Sequence, residues 1–287
     1  MATLRILDSI TDRGDPKRPN EDASGGNRTA AFVIDGATGL GENLLPDASS
    51  DAAWLAALAK DCFEELADGK RSIGDVVRRT NARAKAVLDG ILYGGDLPAW
   101  QLPVAGFQMI SVANGSISTH GLGDCRLFLL AGDGKALDRT ALAGRGEETD
   151  GARRAISASG GLTQASDLLA RPEVRAALRE RRARYNREGT DVWTLGTEPK
   201  AARHVVSEEL EIALPARGLL CTDGFAALVD AYGRYDAATL VDTASRAGLS
   251  KLLAELRVVE HREDPEGSAF PRFKRSDDAT ALLFEIV

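Results

Sequence analysis

The sequence predicts an α+β protein, a four-layer α-β-β-α sandwich of two antiparallel sheets flanked by helix pairs. Two helical patterns follow one another directly between residues 47 and 95. From Val104 to Leu130 the apolar residues alternate instead, with turn signals at Asn114-Gly115 and, just beyond, Gly132-Asp133-Gly134, as hairpins require. Strand and helix never alternate one for one, which a doubly wound parallel sheet would need.

Leu4 to Ile10 is the first strand and Ala30 to Ile34 the second, separated by a polar loop, TDRGDPKRPNEDASGGN. The first helix takes Ser49 or Ser50 as its cap, places Trp54, Leu55, Leu58, Cys62 and Leu66 on one face, and stops at Gly69. The second repeats the plan with Ile73, Val76, Val77, Ala84, Val87, Leu88 and Leu92. Val104 to Leu130 forms an antiparallel meander. Residues 141–200 interrupt the strands with a helical, arginine-rich flap or insertion. Strands resume at His204 to Leu214 and Gly218 to Thr222. Helices follow at Ala226–Val229, Ala237–Ala247 and Ser250–Arg262, and a last strand runs from Ala279 to Val287. There are no repeats or linkers, so residues 1–287 form one domain.

Apolar residues make up 44% of the 287 positions, enough for a sizeable core, and the net charge is −7. A chain without basic excess is no general binder of nucleic acid or anionic membrane. Cys62, Cys125 and Cys221 lack metal or redox spacing and suit a reduced compartment. The charged start, MATLRILDSITDRGD, has no signal-peptide character. A cytoplasmic location is expected.

Acidic residues gather at the ends of core strands. Asn20-Glu21-Asp22 precedes the second strand and Asp35-Gly36 follows it. Asp223-Gly224 follows another, and Asp277-Asp278 precedes the last. Each alone is ordinary turn chemistry. If the strand ends converge, the carboxylates repel and raise one another's pKa unless cations neutralise them. Oxygen-only donors select Mg²⁺ or Mn²⁺. His120, His204 and His261 have no zinc-like pairing. Gly36 permits a sharp turn and exposes its carbonyl as a further oxygen donor. Two such ions could activate water for phosphate-ester hydrolysis.

In order along the chain, PNEDA, FVIDGATG, GLGDCRLFLL, LLCTDGF and SDDATALLFE resemble the motifs of the PPM metal-dependent phosphatases, the type 2C Ser/Thr phosphatases, nearly end to end. The resemblance implies two Mg²⁺ or Mn²⁺ ions at one edge of the sandwich. It implies that Asp35 bridges them and Gly36 donates its carbonyl. Asp223 and Asp277 would hold one ion, while Glu21 and Asp22 support the other, partly through water. Asp124 is the candidate for a third, weaker ion. The implied activity is dephosphorylation of phosphoserine and phosphothreonine in proteins. A small-phosphate-ester phosphatase, or a catalytically weak binding module of the same fold, are the alternatives. A haloacid-dehalogenase reading fails because Ala37 leaves no Asp-x-Asp.

The chain departs from the family pattern in three places. The substrate-gripping arginine four residues before Glu21 is replaced by Lys17, with Arg18 next to it, so the phosphate role falls to one of these two. Ala37-Thr38 stands where eukaryotic members carry a proton-donating histidine. The flap is longer than expected, and Arg171, Arg175, Arg179, Arg182 and Arg184 recur along it. They form either a recognition face for an acidic or phosphorylated partner or a solvated face shared with Glu173, Glu180 and Glu188.

Overall fold

The computed structural model describes residues 2–67, 70–92, 97–113, 115–142, 151–153, 156, 162 and 168–287. Gly69, Asn114 and much of the flap lie outside them. One sheet contains β1 (Leu4–Asp12), β6 (Arg126–Leu130), β7 (Ala136–Thr140), β9 (Ala216–Cys221) and β10 (Ala279–Ile286), in the order β1-β10-β9-β6-β7. The other contains β2 (Asp22–Gly26), β3 (Ala30–Gly36), β4 (Ala105–Ala113), β5 (Ser116–Leu122) and β8 (Val206–Glu209), in the order β2-β3-β4-β5-β8. All pairings are antiparallel. The helices are α1 (Asp51–Leu66), α2 (Ile73–Leu92), α3 (Pro172–Arg182), α4 (Asp223–Asp230), α5 (Ala237–Ala247) and α6 (Leu249–Val258).

Three apolar cores separate the four layers. Ala30, Phe32 and Ile34 of β3 face α1 and α2, whereas Ala31 and Val33 face the other sheet. That two-sided burial is why β3 is apolar without alternation. The third core packs Leu219, Cys221, Ala281 and Leu283 against α4, α5 and α6. Phe63 of α1 makes edge contacts with Phe32 at 5.2 Å and Phe107 at 5.0 Å, tying the helix to the strands that deliver the acidic corner. Phe63→Ala is expected to cost about 3–5 kcal/mol in denaturant unfolding.

Several sequence expectations change in detail. DASGG, expected as loop, is the edge strand β2, drawn into the sheet by β3 despite two glycines. The meander from Val104 to Leu130 is split between sheets: β4 and β5 pair in one, while β6 pairs with β7 and β9 in the other. The crossing point is Gly123, whose φ of +79° a side chain resists. A Cβ there would also stand 2.8 Å from Gly106 Cα. The strand expected from His204 to Leu214 shortens to Val206–Glu209, because Pro199–His204 winds into a 3₁₀ helix. There the His204 ring stacks on Trp193. Asp223 opens helix α4 rather than sitting in a turn. The helix expected over Ser250–Arg262 is α6 followed by a π-helical turn, Val259–Glu263. Among the described residues, no helix is long and apolar enough to cross a membrane.

Candidate metal centre

Strand register brings the acids together. Asp22, the first residue of β2, lies directly across from Asp35 near the end of β3, and Asp35 lies across from Gly106 in β4. The sheet switch at Gly123 places the Asp124 carboxylate beside Gly106, where a Cβ would stand 3.6 Å from Asp124 Oδ1. Asp223 enters from the other sheet at the start of α4, and its amide donates to Asp35 Oδ2 at 3.4 Å. Asp277 arrives from the segment before β10.

Asp35, Gly36, Asp124, Asp223 and Asp277 line one cleft of about 470 Å³. Burial pushes the Asp35 carboxyl well above its ordinary value, and the charges of Asp223, Asp22, Asp124 and Asp277 push it further. Asp22 is raised by burial and by Asp278 and Asp277, although the Thr222 hydroxyl, donating to its Oδ2 at 2.8 Å, favours the ionised form. Burial also raises the Cys125 thiol, with Asp35 and Asp124 adding to it, which keeps that cysteine protonated and inert.

Glu21 lines a second cleft of about 450 Å³ with Lys17 and Arg18. Ser50 donates to its Oε1 at 2.7 Å and Thr38 to its Oε2 at 2.5 Å. Ser50 also caps α1 by accepting from the Ala53 amide. Arg18 Nε lies 3.9 Å from Asp15, and neither Lys17 nor Arg18 lines the cleft of Asp35. The two acids of the Asp277-Asp278 pair have different surroundings. Asp278 accepts from the backbone amides of Gly14 at 3.0 Å and Glu21 at 2.7 Å, tying down the loop before β2. Asp277 lines both clefts and accepts from Lys274 Nζ at 2.7 Å.

Three features escaped the sequence reading. Lys274 is a cation inside the acidic corner, signalled only by a basic residue three positions before an acidic pair. Asp278 is an anchor for backbone amides. The third lies in the flap, where the arginines of α3 divide. Arg179 donates twice to the Leu40 carbonyl and sits over the Trp100 ring at 4.1 Å, and Arg182 donates to the Thr38 carbonyl at 2.9 Å. Both thus brace the loop after Asp35-Gly36. Arg175 donates to the Leu169 carbonyl, and Arg184 pairs with Glu180 on the exposed side.

The donors suit a hard divalent cation in kind, being carboxylate oxygens crowded until Asp35 and Asp22 resist ionisation. Among the described residues, no three His, Cys, Asp or Glu side chains enclose a common point as they stand. Glu21, Asp22 and Asp277 are turned toward hydroxyl or ammonium partners, as mutually repelling acids would be.

No protein-family model matches the chain, and no curated protein matches its sequence. Solved structures do. The catalytic domain of the serine/threonine protein phosphatase PstP, solved with two manganese ions, is 17% identical, with a TM-score of 0.54 over 100% of both chains. The chain has the PPM phosphatase fold. PppA of Pseudomonas aeruginosa, at 17% identity and a TM-score of 0.55, also matches over 100% of both chains. The PPM Ser-Thr phosphatase MsPP of Mycobacterium smegmatis, solved with cacodylate, is 17% identical, with a TM-score of 0.53 over 98% of each chain. The α+β expectation and the paired antiparallel sheets agree with this fold.

Proposed function

We propose that the protein is a Mg²⁺- or Mn²⁺-dependent phosphomonoesterase of the PPM type, acting on phosphoserine and phosphothreonine in proteins. The observation that carries this reading is the convergence of Asp22, Asp35, Asp124, Asp223 and Asp277, from both sheets, on one corner of that fold. Two bound divalent ions would activate a water and neutralise the charge developing on the phosphoryl oxygens.

In this reading Asp35 would be the central ligand for both ions, and Gly36 would offer its carbonyl. Asp223 and Asp277 would serve one ion. Asp22 and Glu21 would serve the other, their oxygens oriented by Thr222, Thr38 and Ser50. Asp124 would take a third, weaker ion. Ala37 supplies no proton to the leaving alcohol. The buried free thiols of Cys62, Cys125 and Cys221 support a cytoplasmic setting.

Hydrolysis of p-nitrophenyl phosphate is expected with Mn²⁺ or Mg²⁺ and to vanish in EDTA; equal turnover in EDTA would sink the reading. A phosphothreonine peptide assayed beside a panel of small phosphate esters distinguishes a protein substrate from a small one. Higher kcat/KM on the peptide is expected.

A further inference from the structure

Thr38, Lys274 and Asp277 are the described residues that line both clefts, and Lys274 is the one basic side chain common to the two. The three form a hydrogen-bonded unit. Lys274 Nζ donates to Asp277 Oδ1 at 2.7 Å and to Thr38 Oγ1 at 2.8 Å, and the Thr38 hydroxyl in turn donates to Glu21 Oε2. The side chain is 23% exposed, so it is anchored yet reachable. An ammonium has three N–H donors, and two are committed among the described residues.

A phosphomonoester dianion approaching this corner meets at least five carboxylates, so a fixed positive charge beside the ions lowers the cost of its arrival. Lys17 and Arg18 border only the second cleft, with Arg18 42% exposed and close to Asp15. Arg153, Arg181, Arg182 and Arg272 line the first cleft only, where Arg182 donates to the Thr38 carbonyl and Arg272 to Asp264. Among the described basic residues, Lys274 is the one that lines both clefts.

We propose that Lys274 is the phosphate-binding residue of this site: its third N–H takes a non-bridging phosphoryl oxygen where the two clefts meet, and Thr38 is its positioning residue. The inference rests on the phosphatase reading and moves the phosphate role away from Lys17 and Arg18. A single N–H from an ammonium holds the anion as a point charge rather than in a fork.

The test is calorimetric binding of inorganic phosphate to the Mn²⁺-loaded protein, with KM and kcat for p-nitrophenyl phosphate and Mn²⁺ affinity measured in parallel. Lys274→Met and Lys274→Gln should weaken phosphate binding about tenfold or more and raise KM in step. Lys274→Arg should restore most of it, and Thr38→Val should give an intermediate loss. Arg275→Ala, which removes a positive charge from the second cleft only, should change phosphate binding less than about twofold. Wild-type phosphate affinity in both neutral variants overturns the proposal, as does a wild-type protein that binds no phosphate. So does a loss fully accounted for by weaker Mn²⁺ binding. If hydrolysis is absent but phosphate binding depends on Lys274, the inference stands and the phosphatase reading falls. If hydrolysis is metal-dependent and indifferent to Lys274, the reverse holds.

Discussion

Asp35→Asn is expected to lower metal-dependent turnover by about a thousandfold or more, which is roughly 4 kcal/mol of transition-state stabilisation. Asparagine keeps the shape of the side chain but presents one neutral oxygen where the proposed bridge needs two charged ones. The same change should stabilise the protein in EDTA. Burial, followed by Asp223, Asp22, Asp124 and Asp277, raises the folded-state pKa of Asp35 above its ordinary value of 3.8. The folded chain therefore binds more protons than the unfolded chain between those two values. The Asp35 contribution to stability is full below about pH 3.8 and is lost as pH rises through the raised value. At pH 7 and without metal, removal of that carboxyl should raise Tm by about 2–4 °C, the shift that roughly 1 kcal/mol produces in a chain of this size. The advantage should shrink as pH falls toward 4. Saturating Mn²⁺ should reverse the order, since a ligand at a hundred times its Kd adds about 2.7 kcal/mol to the protein that binds it. Wild-type turnover in the variant, or melting curves that ignore EDTA, would remove Asp35 from the centre of the site.

The part of this site visible in the sequence is the part written along single strands. AAFVI is apolar on both faces because β3 is covered by helices on one side and a sheet on the other, so its abrupt end at Asp35 stands out. LLC before Asp223 and ALLF after Asp278 carry the same signal. What is not visible depends on partners far away in the chain. DASGG has no apolar run and becomes a strand only through its register with β3. Asp124 reaches the corner because Gly123 carries the chain between sheets, while the flanking alternation gives only a hairpin signal. Asp277 and Asp278 are adjacent, yet one faces the cleft and the other holds two amides more than 250 residues away. Lys274 is one of many basic residues until folding sets its ammonium between Asp277 and Thr38. Long-range pairing decides each of these, and no local periodicity encodes it.

Gly36→Ala is expected to damage both stability and metal binding, for a reason that lies in the backbone. A Cβ at Gly36 would stand 2.5 Å from the Glu21 carbonyl oxygen and 2.9 Å from that of Ala52. Both are main-chain atoms that no rotamer change can move aside. The Gly36 amide donates to the same Glu21 carbonyl at 3.0 Å, so opening the contact also breaks the bond that closes the end of β3 on the chain before β2. Overpacking of this kind costs about 1–3 kcal/mol. The displacement would not stay local. The Glu21 amide is held by Asp278, and Asp278 is covalently next to Asp277, so a shift at position 36 moves donors on both sides of the cleft. Disturbing such supporting contacts typically costs about 10–100-fold in metal affinity. Gly39→Ala is the control: nothing lies within 4 Å of a Cβ at that position, and it should change stability by less than about 0.5 kcal/mol. Manganese calorimetry and thermal melts on the two variants separate a general cost of stiffening this loop from a specific need for glycine at 36. If Gly36→Ala binds Mn²⁺ as tightly as the unchanged protein, the strand end is not what sets the ligand geometry. The brace that Arg179 and Arg182 place on residues 38–40 would then have to supply that order instead.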